Sequence, residues 1–225
     1  MKKNLLLFIG LILNYGLFAI DAPGITSPSN ESTNQSVSLT LDWTSVTGNE
    51  GYLYQLDTVP SFNSPLLLEG ETSTNVSQIG IFDLYFGKTY YWRAATKSGV
   101  EVSEWSSTWS FTTASTISNI SPSNGATNQP VTVELDWNSI TGNTGYVYQF
   151  DTLPSFDSPL FIEGTTGINS SGVYINDLYF GTSYYWRAAV KNAVDTSNWS
   201  PTWSFTTAST ISNISPSNGA TNQPV

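Results

Sequence analysis

From Thr26 onward the chain is a gapless repeat with a period of 94 residues. Asp83-Leu84-Tyr85-Phe86-Gly87-Lys88-Thr89-Tyr90-Tyr91-Trp92-Arg93 returns as Asp177 to Arg187 with two substitutions, and Leu41-Asp42-Trp43 returns as Leu135-Asp136-Trp137. Pro60-Ser61-Phe62 recurs as Pro154-Ser155-Phe156, and Trp109 to Thr113 as Trp203 to Thr207. This period lies far outside the roughly 20–50 residues of a solenoid unit and close to the ~100 residues of a whole β-sandwich. The repeat therefore sets the expected division: residues 1–19 as a leader, 23–115 as a first domain, 116–209 as a second, and 210–225 as the truncated opening of a third. The third copy is visible because Thr202 to Val225 repeats Thr108 to Val131 letter for letter.

Within each copy the apolar period is two. Val37, Leu39, Leu41 and Trp43 alternate with Ser38, Thr40 and Asp42, and Val131, Val133, Leu135 and Trp137 repeat the pattern, which is a strand with one buried face. Tyr52, Tyr54 and Leu56 continue it after the Thr47-Gly48-Asn49 turn, then Leu66 to Leu68, Ile79 with Ile81, Tyr90 with Trp92 and Ala94, and Trp109 with Phe111. The count is about seven strands per copy, with no helical periodicity outside the leader. The fold class is all-β.

Leu84, a glycine-bearing turn, and Tyr90 six residues after the leucine have the layout of a tyrosine corner. In that device a buried phenol bonds a backbone group a few residues upstream, where the chain crosses between sheets. Leu178 and Tyr184 repeat it. The predicted core is Trp43, Leu84, Tyr90, Trp92 and Phe111 in the first copy and Trp137, Leu178, Tyr184, Trp186 and Phe205 in the second. By parity Trp43 and Trp92 meet across the sandwich.

Cysteine and histidine are both absent, which removes thiolate nucleophiles, histidine bases and Cys/His zinc sites together. No disulfide is available, so each domain relies on its hydrophobic core. Lys2 and Lys3 followed by the apolar run Leu5 to Leu13, broken by Gly10, read as a secretory signal with cleavage near Ala19. Removing it leaves five basic residues against 17 acids, a net charge of −12. Such a surface attracts neither nucleic acid nor acidic headgroups.

On these residues the chain resembles tandem fibronectin type III domains over residues 26–209: the tryptophan of the second strand, the leucine and tyrosine of the corner, and the phenylalanine of the last strand. Tyr-Tyr-Trp-Arg after the corner, Asp-Thr-x-Pro-Ser-Phe-x-Ser-Pro after the third strand, and the closing Trp-Ser-Phe-Thr-Thr are similar to repeats of bacterial secreted and cell-surface proteins. The resemblance implies two immunoglobulin-like sandwiches without catalytic residues. Trp105 to Ser110 and Trp199 to Ser204 are also similar to the Trp-Ser-x-Trp-Ser element of cytokine receptors, with one extra residue. Its physical content is the stacking of Arg93 and Arg187 on an indole.

No catalytic, metal or cofactor residues are expected. Asp57-Thr58 and Asp151-Thr152 echo the aspartic protease triplet without its glycine, and each aspartate is expected to be a solvated strand end. The recurring Asp42, Asp57 and Asp83 lack the spacing of an EF-hand. The surface-contact candidates are Tyr85, Phe86 and Tyr91, with Tyr179, Phe180 and Tyr185 in the second copy. A row of such rings on one flat face favours sugar binding, whereas scattered placement favours a spacer. The expected role is a non-enzymatic spacer or adhesion module of a secreted or cell-surface protein, with a carbohydrate-binding module accessory to an extracellular enzyme as the alternative. Expected partners are other domains of the same protein and an extracellular protein or glycan, with no nucleic acid and no membrane insertion after leader removal. Only about three residues separate Thr113 from Ile117, too few for a flexible tether.

Overall fold

The computed structural model describes residues 20–209. The leader and the opening of the third copy, including the expected cleavage point near Ala19, lie outside them. The first sandwich contains β1 (Ile25–Ser27), β2 (Ser32–Gln35), β3 (Leu39–Trp43), β4 (Gly51–Asp57), β5 (Leu68–Glu71), β6 (Gln78–Ile81), β7 (Thr89–Ser98), β8 (Glu101–Val102) and β9 (Trp109–Thr113). One sheet has the order β1-β3-β6; the other has the order β2-β9-β7-β4-β5, with β8 pairing β7. The second sandwich contains β10 (Asn119–Ser121), β11 (Ala126–Gln129), β12 (Val133–Trp137), β13 (Gly145–Asp151), β14 (Ile162–Thr166), β15 (Gly172–Ile175), β16 (Ser183–Lys191) and β17 (Trp203–Thr207). Its sheets, β10-β12-β15 and β11-β17-β16-β13-β14, repeat the plan.

The alternation read from sequence produces these faces. Leu41 and Trp43 of β3 are buried while Thr40 before them is exposed and Asp42 between them is half-buried, and Tyr90, Trp92 and Ala94 of β7 are buried while Tyr91 and Arg93 are half-buried. Trp43 and Trp92 come from opposite sheets and meet with ring centroids 6.5 Å apart, and Trp137 and Trp186 meet at the same separation. None of these four indole N–H groups has a hydrogen-bond partner, so the pairs are held by packing. Tyr90 stacks on Phe111 at 5.6 Å, and Tyr184 lies against Phe150 at 4.9 Å.

Two sequence expectations are corrected. The strand count is nine in the first copy and eight in the second, not about seven, because the opening strand divides between sheets and, in the first copy, the short β8 pairs with the end of β7. β1 runs antiparallel to β3 and β2 runs parallel to β9. Pro28 follows β1 directly and has no N–H with which to extend its ladder. The strand expected at Leu66 to Leu68 begins only at Leu68. Leu66 N–H donates to Ser64 Oγ at 3.0 Å and Leu67 N–H to the Ser64 carbonyl at 3.2 Å, so this stretch is a turn in which Leu66 is exposed and Leu67 half-buried. The apolar letters there do not alternate with polar ones, which is why they did not distinguish a strand from a turn.

The connection between sandwiches is pinned at each step. Ala114 N–H donates to the Gln35 carbonyl at 2.9 Å, and the Ala114 carbonyl accepts from Gly87 N–H at 2.9 Å. The Ser115 carbonyl accepts from Asn198 N–H at 3.0 Å. Gly87 has φ +64, and a β-carbon there would sit 3.1 Å from Ser115 Cβ; glycine supplies both the left-handed turn and the room for the connecting chain.

Candidate functional site

The tyrosine corner is formed in both copies. Tyr90 is 2% exposed, and its Oη accepts a hydrogen bond from Tyr85 N–H at 3.0 Å. Tyr184 Oη accepts from Tyr179 N–H at 2.9 Å. Burial pushes the Tyr90 phenol above its ordinary pKa; the hydrogen bond from the Tyr85 amide opposes this in part, and the charges of Tyr85 and Asp195 add slightly to the rise. All ten predicted core residues lie inside the sandwiches.

The surface-contact candidates do not form one platform. Tyr91 is half-buried on the outer side of β7, between Ser110 of β9 and Asp57 of β4; Tyr185 takes the same place in the second copy. Tyr85 is half-buried in the corner turn. Phe86, expected at the surface, is instead buried, at 7% exposure, whereas its counterpart Phe180 is 50% exposed and Tyr179 is 62% exposed. The same local sequence therefore has two environments. The first corner differs in being bonded by residues of the neighbouring sandwich.

A loop of the second domain, Asn192 to Asp195, sits on the corner of the first. Asn192 Nδ2 donates to the Leu84 carbonyl at 2.7 Å, and Asp195 Oδ2 accepts from Phe86 N–H at 3.0 Å. The loop is shaped for this: Asn192 Oδ1 accepts from Val194 N–H at 3.1 Å and Asp195 N–H at 2.8 Å, and Asn192 N–H donates to the Asp195 carbonyl at 3.0 Å. Beside it, Ser36 Oγ donates to the Thr141 carbonyl at 2.8 Å. Gly142, at φ +83, packs against Ser38 so closely that any β-carbon would overlap the serine side chain. Parity reasoning could not find this junction. The available signal was the departure of the copies from one another, with Ser98 and Glu101 in the first replaced by Asn192 and Asp195 in the second.

Arg93 lies between two rings, its guanidinium carbon 4.1 Å from the Phe62 centroid and 4.5 Å from that of Trp105. Gln55 Oε1 accepts from its Nε at 3.0 Å and its Nη2 at 2.7 Å. Arg187 repeats the stack with Phe156 at 4.3 Å and Trp199 at 4.9 Å. The indole contact follows the sequence resemblance; the phenylalanine half was not foreseen, because it depends on an unusual loop. Phe62 and Phe156 have φ +52 and +58, a region a bulky residue occupies only when its surroundings hold it there.

What holds the loop is Asp57, and the expectation of a solvated strand end is wrong: Asp57 and Asp151 are fully buried. Asp57 accepts from Thr58 N–H at 2.6 Å, from Ser64 N–H at 2.9 Å and from the Ser64 hydroxyl. Asp151 does the same with Thr152 and Ser158. Burial alone raises these carboxyls, but the Ser64 or Ser158 hydroxyl and the backbone amides outweigh it and hold both below the ordinary value. These aspartates are loop staples rather than a catalytic pair, since each closes its own loop in its own sandwich.

An open groove of about 530 Å³ is bordered by Tyr54, Gln55, Glu69, Glu71 and Trp105. Among the described residues no three Asp or Glu side chains gather where a metal ion would be held, and no helix is long and apolar enough to cross a membrane.

No family model and no curated protein matches the chain. Among solved structures it is similar to the FN1-FN3 domains of chicken CNTN1, at 14% identity and a TM-score of 0.34 over 83% of this chain and 66% of that one. It is also similar to the two-domain fibronectin type III segment of chicken tenascin, at 14% identity and a TM-score of 0.38 over 83% of this chain and 100% of that one. With a three-stranded sheet facing a larger one and a tyrosine corner in each copy, the chain folds as two fibronectin type III-like sandwiches in tandem.

Proposed function

We propose that the chain is a non-enzymatic structural spacer or adhesion module of a secreted or cell-surface multidomain protein, in which the repeated corner holds one module against the next. The observation that carries this reading is the burial of Phe86, whose amide is bonded by the Asn192–Asp195 loop, set against the exposure of Phe180. A corner that receives the neighbouring module through two side-chain hydrogen bonds fixes their relative orientation, which is what a spacer requires. The alternative of a carbohydrate-binding module needs exposed rings sharing one face. It is disfavoured in the first domain because Phe86 is committed to the junction while Tyr91 lies out on β7.

Backbone amide relaxation of the chain in solution tests the reading. A rigid junction gives both sandwiches one common rotational diffusion tensor. Separate correlation times for the two would refute it. Export is tested apart from this by intact mass, since protein recovered outside the cytoplasm should lack roughly the first 19 residues.

A further inference from the structure

The corner of the second sandwich is built like that of the first and, among the described residues, stands uncovered. The Leu178 N–H donates to the Val131 carbonyl at 3.0 Å as Leu84 N–H does to Val37, and Gly181 N–H donates to the Ala208 carbonyl at 2.9 Å as Gly87 N–H does to Ala114. The chain therefore leaves the second sandwich by the path it takes out of the first, at least as far as Ser209. What differs is cover. Val37 is fully buried and Phe86 nearly so, while Val131 is half-buried and Phe180 stands 50% exposed.

Resting on the spacer reading, we infer that the Leu178–Phe180 corner is the docking site for a further module of the same repeat, the one whose sequence opens at residues 210–225. That module is to present an asparagine and an aspartate where the second presents Asn192 and Asp195. The occupant follows from two observations: the 24 residues from Thr202 to Val225 match Thr108 to Val131 without a change, and the matching stretch leads into the module that covers the first corner. The pairing is directional. The first module's corresponding loop carries Ser98 and Glu101 and leaves Val100 wholly exposed, so it lacks the amide that reaches the Leu84 carbonyl. One contact will not recur, because Pro130 stands where Ser36 donates to Thr141; recognition then rests on the asparagine, the aspartate and the buried ring.

The test is hydrogen exchange on the full chain and on an extended chain in which residues 210–225 are continued by a copy of residues 132–209. Docking slows exchange of the Phe180 amide in the extended chain by roughly 10- to 100-fold, the factor expected of one charge-assisted hydrogen bond. Replacing the added asparagine and aspartate by alanine restores fast exchange. Unchanged exchange at Phe180 with Phe86 still protected overturns the inference while leaving the spacer reading intact; loss of protection at both overturns both. Protection of Phe180 that appears in the unextended chain as concentration rises assigns the corner to a second copy, and protection by added oligosaccharide assigns it to a glycan. Either result overturns the inference.

Discussion

Replacing Asn192 by aspartate separates the junction from the fold of the module that carries it. Asn192→Asp keeps an oxygen for the Val194 and Asp195 amides, so the loop retains its turn. It replaces the Nδ2 donor with an oxygen at the position 2.7 Å from the Leu84 carbonyl, inside a site where Asn192 is only 7% exposed. The oxygen that faces the Leu84 carbonyl then has no donor, and a buried carboxylate without a counter-charge and with one oxygen unsatisfied costs several kcal/mol. The loss is capped by what the junction contributes, because beyond that point the modules separate. Phe86 goes from 7% exposed to the 50% of Phe180. That 43-point change on a ring worth about 200 Å² is about 2 kcal/mol of apolar burial. The hydrogen bonds to Leu84 and Phe86 add about 1 kcal/mol each in net terms, which puts the coupling near 4 kcal/mol. The module that unfolds first loses this whole amount, so the urea midpoint of the earlier tryptophan transition should fall, with an equivalent loss of about 3–4 kcal/mol. In acid the new carboxyl is protonated and can again donate to Leu84, so the deficit relative to the unsubstituted chain at the same pH should shrink. A loss below about 0.5 kcal/mol, the range of uninvolved surface substitutions, would refute the argument, as would a deficit that does not respond to pH.

Tyr90→Phe removes the acceptor of the Tyr85 amide and should cost about 1–2 kcal/mol by chemical denaturation; a neutral result would mean that water replaces the phenol. Arg93→Lys keeps the charge but loses the planar group between Phe62 and Trp105 and the fork to Gln55, so a loss of about 1 kcal/mol is expected, and an unchanged midpoint would show the stack to be incidental. Asp57 and Asp151 titrate below their ordinary value of 3.8 in the folded chain, so the unfolded chain takes up their protons more readily. Their contribution is fully present above that value and is lost as pH falls through it toward the folded pKa; in Asp57→Asn the share of Asp57 should disappear from the acid limb while that of Asp151 remains. An acid limb identical to that of the unsubstituted chain would contradict the staple.

The sandwiches could be read from the letters because strand periodicity is local. Val37, Leu41, Trp43, Tyr90 and Trp92 alternate with polar neighbours, and a pleated strand converts that alternation into one buried face whatever lies further along the chain. The corner was equally legible, since Tyr90 reaches a backbone amide only five residues away. The staples were half-legible: Asp57, Pro60, Phe62 and Ser64 recur as a motif, but only closure of the loop removes the carboxylate from water and turns a polar strand end into a buried acceptor. The surface-contact candidates fared worst. Tyr85-Phe86 and Tyr179-Phe180 are the same letters in the same local frame, so no local rule assigns them different burial. That difference arises from residues 108 and 109 positions away, Asn192 and Asp195. The strands follow from each residue's immediate neighbours, whereas the environment of the corner depends on which other module's surface is brought against it, and only the tertiary structure decides that.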